Sequence, residues 1–150
     1  MAINSVKMNI FVNFETKDVP TNSEKIIDLV YEIVKNEKKE IQSLTVIIVS
    51  NPKILEINKN YLNHDYFTDV IAFNLEEKGE PIEAEIYVSN DEAKIQAENF
   101  GATHEHELLR YIAHGTLHTL GYEDFNFDLK QEMHEKENFY LNRIFFDSTN

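Results

Sequence analysis

Between His114 and Asp124 the chain reads His-Gly-Thr-Leu-His-Thr-Leu-Gly-Tyr-Glu-Asp, and this run leaves few folds open. Four residues of α-helix climb about 6 Å and make just over one turn, so His114 and His118 project from the same side. Gly121 falls where such a helix must stop, because glycine accepts the left-handed conformation that reverses the chain. The reversal can carry Asp124 back to the two imidazoles. Two nitrogens and a carboxylate oxygen around one point, with a fourth position open, form the donor set of a catalytic rather than a structural metal site. At about 100° per residue, Leu109, Ile112, Ala113, Leu117 and Leu120 share one face of the helix. His114 and His118 lie on the opposite face, with Glu107 and Tyr111. The segment predicts a helix that buries leucines on one side and presents a metal site, His114, His118 and Asp124, on the other.

The same spacing resembles the metal-ligand pattern of the metzincin peptidases, H-E-x-x-H-x-x-G-x-x-H or D, with one departure. Those enzymes place their general base directly after the first histidine. Here that position is Gly115, which cannot move a proton. The scaffold for a metal site is present and the peptidase base is not.

A second resemblance is closer. His114-Gly115-x-Leu117-His118-x-x-Gly121-Tyr122-x-Asp124 is similar to the H-G-x-L-H-x-x-G-Y-x-[HD] signature of the YbeY family. Upstream, Leu62-Asn63 and Thr68-Asp69-Val70-Ile71-Ala72-Phe73 resemble that family's L-N and T-D-V-L-S-F blocks. Ala84-Glu85-Ile86-Tyr87-Val88-Ser89 resembles its G-D-I-x-I-S strand. The resemblance implies a single metallohydrolase domain over residues 1–150 and a single-strand-specific, metal-dependent endoribonuclease. Such an enzyme acts in small-subunit ribosomal RNA 3′-end maturation and ribosome quality control. The implied cofactor is one divalent transition metal ion, zinc first. The implied partners are single-stranded ribosomal RNA and ribosomal subunits, with no membrane and no DNA.

Two departures from the family pattern bear on this. The family's third ligand is commonly histidine; Asp124 is a harder donor and moves preference toward iron or manganese. The family also carries an arginine between L-N and T-D-V. Here residues 63–68 read Asn-His-Asp-Tyr-Phe-Thr, without arginine. His64 offers a loop charge, but a solvated histidine is its ordinary role. The general base is unassigned, with Glu107, about two turns before His114, as a candidate base or second partner of a ligand. Tyr122 and Glu123 are read as shaping the turn.

Composition restricts the rest. The chain has 150 residues and no cysteine, so neither disulfides nor thiolate metal sites arise, as suits a cytoplasmic protein. No apolar run reaches the length of a signal peptide or a membrane span. The net charge of −13 opposes binding to a phosphate backbone. The only local basic cluster, Lys35, Lys38 and Lys39, is diluted by Glu37 and Glu40. RNA therefore enters from the resemblance alone. Two alternatives stand beside the nuclease: a ribosome assembly factor with a structural metal and little nuclease activity, and another metal-dependent hydrolase.

Periodicity predicts an α+β fold in the order βαβαββααα, a mixed four-stranded sheet with about five helices. Residues 8–14 alternate as a strand, and a helix follows from a cap at Asn22 or Ser23 to about residue 36. Residues 44–50 form a β-branched, buried strand. A helix starts at Pro52, and residues 69–75 form another buried strand. Residues 76–81 are a charged turn, so the next strand, 82–88, pairs with its predecessor as a hairpin. Helices follow over 90–100, from a cap at Thr103, and over about 127–145. Residues 147–150 read as a frayed tail. The helices between the first three strands imply parallel neighbours wherever those strands are adjacent.

Overall fold

Polar side chains mark where the helices begin. The Asn22 side chain accepts from the Lys25 N–H at 2.8 Å and opens α1, Ser23–Asn36. Ser89 Oγ accepts from the Glu92 N–H and opens α3, Asn90–Phe100; Thr103 Oγ1 accepts from the His106 N–H and opens α4, His104–Thr119. Asn126 Oδ1 accepts from the Leu129 N–H ahead of α5, Phe127–Phe145. The fifth helix, α2, spans Asn51–Tyr61. With β1 (Ile10–Phe14), β2 (Ile41–Val49), β3 (Val70–Asn74) and β4 (Ile82–Ser89), the order is the expected βαβαββααα. The computed structural model describes residues 6–61 and 69–145. Leu62-Asn63, the loop 63–68 with His64, and the tail 147–150 lie outside them.

The four strands form one mixed sheet in the order β1-β2-β4-β3. β1 and β4 run parallel to β2, and β3 runs antiparallel to β4. The hairpin is as expected. The parallel relation does not extend to β2 and β3, because β4 inserts between them and places β3 at the edge. That edge position also corrects the reading of 69–75 as buried: in β3 only Ile71 is fully covered.

Period-two alternation divides the core between two faces. Leu44, Val46 and Ile48 of β2 and Ala84, Ile86 and Val88 of β4 join α1, α4 and α5 on one face. Ile47 and Val49 meet Ile54 and Ile57 of α2 and Ile71 on the other. A strand covered on both faces needs apolar residues throughout, which explains the unbroken apolar run over 46–49 in β2.

α4 departs from the two-faced helix expected. The sheet, α1, α3 and α5 surround it, and Glu107 and Tyr111 are buried along with the leucines. The histidine side therefore faces α5 and the chain reversal, not bulk water.

Candidate metal centre

The end of α4 sets the geometry. Gly121 has φ 110°, in the left-handed region. The Tyr122 N–H donates to Leu117 O at 3.1 Å and the Gly121 N–H to His118 O at 3.0 Å, the paired bonds of a Schellman stop. The Tyr122 carbonyl then accepts from His118 Nδ1 at 2.9 Å. A carbonyl can only accept, so Nδ1 carries the proton and Nε2 is left with its lone pair. The Tyr122 hydroxyl donates to Glu37 Oε1 at 2.5 Å. Glu37 also accepts from the Tyr140 hydroxyl and from Lys136 Nζ. Burial alone would raise the Glu37 carboxyl, but these three donors and the Lys136 charge hold it below its ordinary value. Tyr122 thus ties the reversal to α1 and α5, which is how it shapes the turn.

The reversal delivers Asp124 to the histidines. Its Oδ2 lies 3.4 Å from His114 Nε2 and 3.6 Å from His118 Nε2. One ligand atom from each of the three residues falls within 4.8 Å of the other two. A tetrahedral ion at about 2.0–2.1 Å from each donor spaces them about 3.3–3.4 Å apart, so small side-chain adjustments suffice. The residues fit a divalent metal in geometry and in donor chemistry.

His114 is oriented from α5. Its Nδ1 is 2.7 Å from Glu137 Oε2, and an ionised carboxylate only accepts, so His114 Nε2 is also the free nitrogen. Burial opposes charge on His114, but the Glu137 bond and charge, with Asp124 and Asp69, raise its pKa overall. Glu137 is held in turn by Arg110, whose Nη1 donates to Glu137 Oε1 at 3.1 Å while Nη2 donates to Asn138 Oδ1 at 2.7 Å. The second partner of the ligand is thus Glu137, and Glu107 instead lies beside Arg110, at 3.7 Å from Nε. Sequence reasoning missed Glu137, although the signal was present: it is an acid in the stripe of Met133, Tyr140 and Leu141, and it is buried with them. Replacing it tests the relay. Glu137→Gln keeps the shape but not the charge, and should weaken metal binding roughly 10- to 100-fold, read by competition with a chelating dye.

Beside the centre lies a cavity of about 520 Å³, whose lining includes Asp69, Phe100, His106, Glu107, Arg110, Tyr111 and His134. Burial raises the carboxyl of Asp69. Burial also raises Glu107, helped by the charges of Glu137 and Asp69 and eased by Arg110. Both acids hold protons to higher pH than a solvated carboxyl would. His134 is exposed, stands 3.9 Å from Glu137 and is not among the three residues that converge. Glu123 is exposed.

A mixed four-stranded sheet with a His-His-Asp cluster able to hold a metal ion defines a class of small α+β domain, and comparison with known proteins supplies the family. The family model described as Endoribonuclease YbeY matches residues 10–145. Endoribonuclease YbeY of Chlorobaculum parvum is 36% identical over 131 residues, covering 87% of this chain and 92% of that protein. Endoribonuclease YbeY of Acholeplasma laidlawii is 37% identical over 145 residues, covering 97% and 98%. A solution structure of a Thermotoga maritima protein superposes with a TM-score of 0.67 at 32% identity, covering 93% of this chain and 91% of that one. The chain belongs to the YbeY family. Among the described residues, no helix is long and apolar enough to cross a membrane.

Proposed function

We propose that this chain is a metal-dependent endoribonuclease of single-stranded RNA, acting in the cytoplasm on ribosomal RNA at the 3′ end of the small subunit and in ribosome quality control. Its activity resides in one domain, and its metal is a single divalent ion, zinc first, held by His114, His118 and Asp124. Family membership supports the endoribonuclease role. The observation that carries the metal is the convergence of three ligand atoms whose outer partners leave both Nε2 lone pairs free.

A bound divalent ion supplies an acidified water and positive charge for the phosphoryl oxygens. The protein's own part is orientation. Glu137 and the Tyr122 carbonyl fix the two imidazoles, the Gly121 reversal fixes Asp124, and Asp69 and Glu107 are the candidate proton-transfer groups in the adjoining cavity.

The test compares the parent with His118→Ala on single-stranded RNA, with and without chelator. Cleavage by the parent alone, abolished by chelator, supports the reading. Equal cleavage by both would mark a contaminating nuclease. No cleavage by metal-loaded parent, with or without ribosomal subunits, would favour the assembly factor. One observation favours that second reading. The sequence holds two arginines, Arg110 and Arg143, and both are engaged with acids, Glu137 and Glu32.

The third ligand has its own test. Asp124→Asn replaces a charged oxygen by a neutral amide and should weaken metal binding more than Glu137→Gln does. Asp124→His restores the commoner family ligand and should retain the ion. Elemental analysis after dialysis checks both. Full retention by Asp124→Asn would remove Asp124 from the site.

A further inference from the structure

We propose that the cavity between the α3–α4 corner and α5 is a nucleobase subsite, in which one unpaired base of the RNA stacks on Phe100. The inference rests on the endoribonuclease reading and names what the cavity beside the metal centre takes. Phe100 ends α3, directly before Gly101, whose φ of 70° turns the chain into α4. The residue is 74% exposed, yet it lines the cavity. An aromatic ring left in water at the rim of a pocket is a stacking platform, and stacking on single-stranded nucleic acid depends little on which base is present.

The cavity and the metal centre share a wall. Arg110 lines the cavity and clasps Glu137, which orients His114. His134 lines it and stands 3.9 Å from the same Glu137. A volume of about 520 Å³ suits a small, mostly apolar ligand group with a few polar contacts. Tyr111 adds a second ring, and Gln96 and His106 add neutral groups able to meet a base edge.

Charge decides which part of a nucleotide enters. Asp69 and Glu107 line the cavity, and its one arginine is already paired. A phosphate would meet carboxyls there, whereas an uncharged base would not be repelled. The net charge of −13 strengthens the argument, because affinity cannot rest on a basic track along the backbone. Stacking is the contribution that an acidic chain can still make.

The experiment uses the metal-loaded full chain and a short 2′-O-methyl RNA, which is not cleaved, carrying a single 2-aminopurine placed in turn at each position. Binding to the parent should quench the fluorophore at one or two positions. Phe100→Ala should weaken binding roughly 5- to 150-fold and abolish the quenching. Phe100→Trp should restore both, and metal content and melting temperature should stay those of the parent, since the ring is exposed. On ordinary single-stranded RNA, Phe100→Ala should raise KM with little change in kcat. Unchanged affinity in Phe100→Ala, or no quenching with the parent at any position, overturns the subsite. The two readings fail separately. Cleavage by the parent with the same KM in Phe100→Ala removes the subsite and leaves the nuclease; Phe100-dependent binding without any cleavage removes the nuclease and leaves the subsite.

Discussion

His118→Ala should give a folded protein that no longer holds a metal ion. The substitution removes one of three donors and leaves two ligand atoms, which do not retain a divalent ion through dialysis. The loss should exceed the roughly 10- to 100-fold that removal of an outer partner such as Glu137 costs. Folding should survive, because the side chain is partly exposed and the Tyr122 carbonyl, deprived of its donor, can take water instead. Melting provides a second readout. Metal at about 100 times its Kd should stabilise the parent by about 2.7 kcal/mol. For a chain of this length that amounts to roughly 5–10 °C, and His118→Ala should show no such shift. His114→Ala should behave alike. Full metal content in both variants would remove the site. Acidification should have the same effect as the substitutions, because protons compete for Nε2. Burial disfavours charge on His114, but Glu137, Asp124 and Asp69 outweigh it and raise its pKa, so competition should begin above the ordinary histidine range.

What could be read in the sequence was local. The spacing of His114, His118, Gly121 and Asp124 is set by one helix and one stop, and both follow from bonds within a few residues. The caps at Asn22 and Thr103 are local in the same sense. The order of the strands is not local. Nothing in residues 44–50 or 69–75 says that a strand from further along will come between them, and that insertion decides which strands pair and which lies at the edge. Burial around α4 is also a property of the assembly. A helical wheel assigns Glu107 and Tyr111 to an open face, whereas α3 and α5 close over that face and turn it into the wall of a cavity. Glu137 lies between these cases. Its place in the apolar stripe of α5 was visible, but its partner, 23 residues away on another helix, was not.

Gly115→Glu, which would supply the base that a metzincin carries, should leave the chain unable to fold normally. A Cβ at Gly115 would lie 2.5 Å from Ile86 Cγ2 and 3.0 Å from Val70 Cγ1. Ile86 is fully buried in the central part of the sheet, and its Cγ2 is fixed at the branch point, so it cannot swing aside. Gly115→Ala alone should cost about 1–3 kcal/mol from overpacking, with the better helix propensity of alanine offsetting up to about 1 kcal/mol. A glutamate would add a buried carboxylate facing apolar side chains, and the total should pass about 4 kcal/mol. The cause can be isolated with a double-mutant cycle. Ile86→Ala removes the obstructing methyl, so Gly115→Ala should cost less in that background than in the parent, a non-additive result readable by denaturant unfolding. Strict additivity, or a well-folded Gly115→Glu with peptidase activity, would refute this account. The geometry explains why position 115 holds no base in this chain. It points at the sheet, not toward His114 and His118, and its lack of a side chain lets α4 seat against β3 and β4. The glycine that excludes the peptidase base is also what positions the helix carrying His114 and His118.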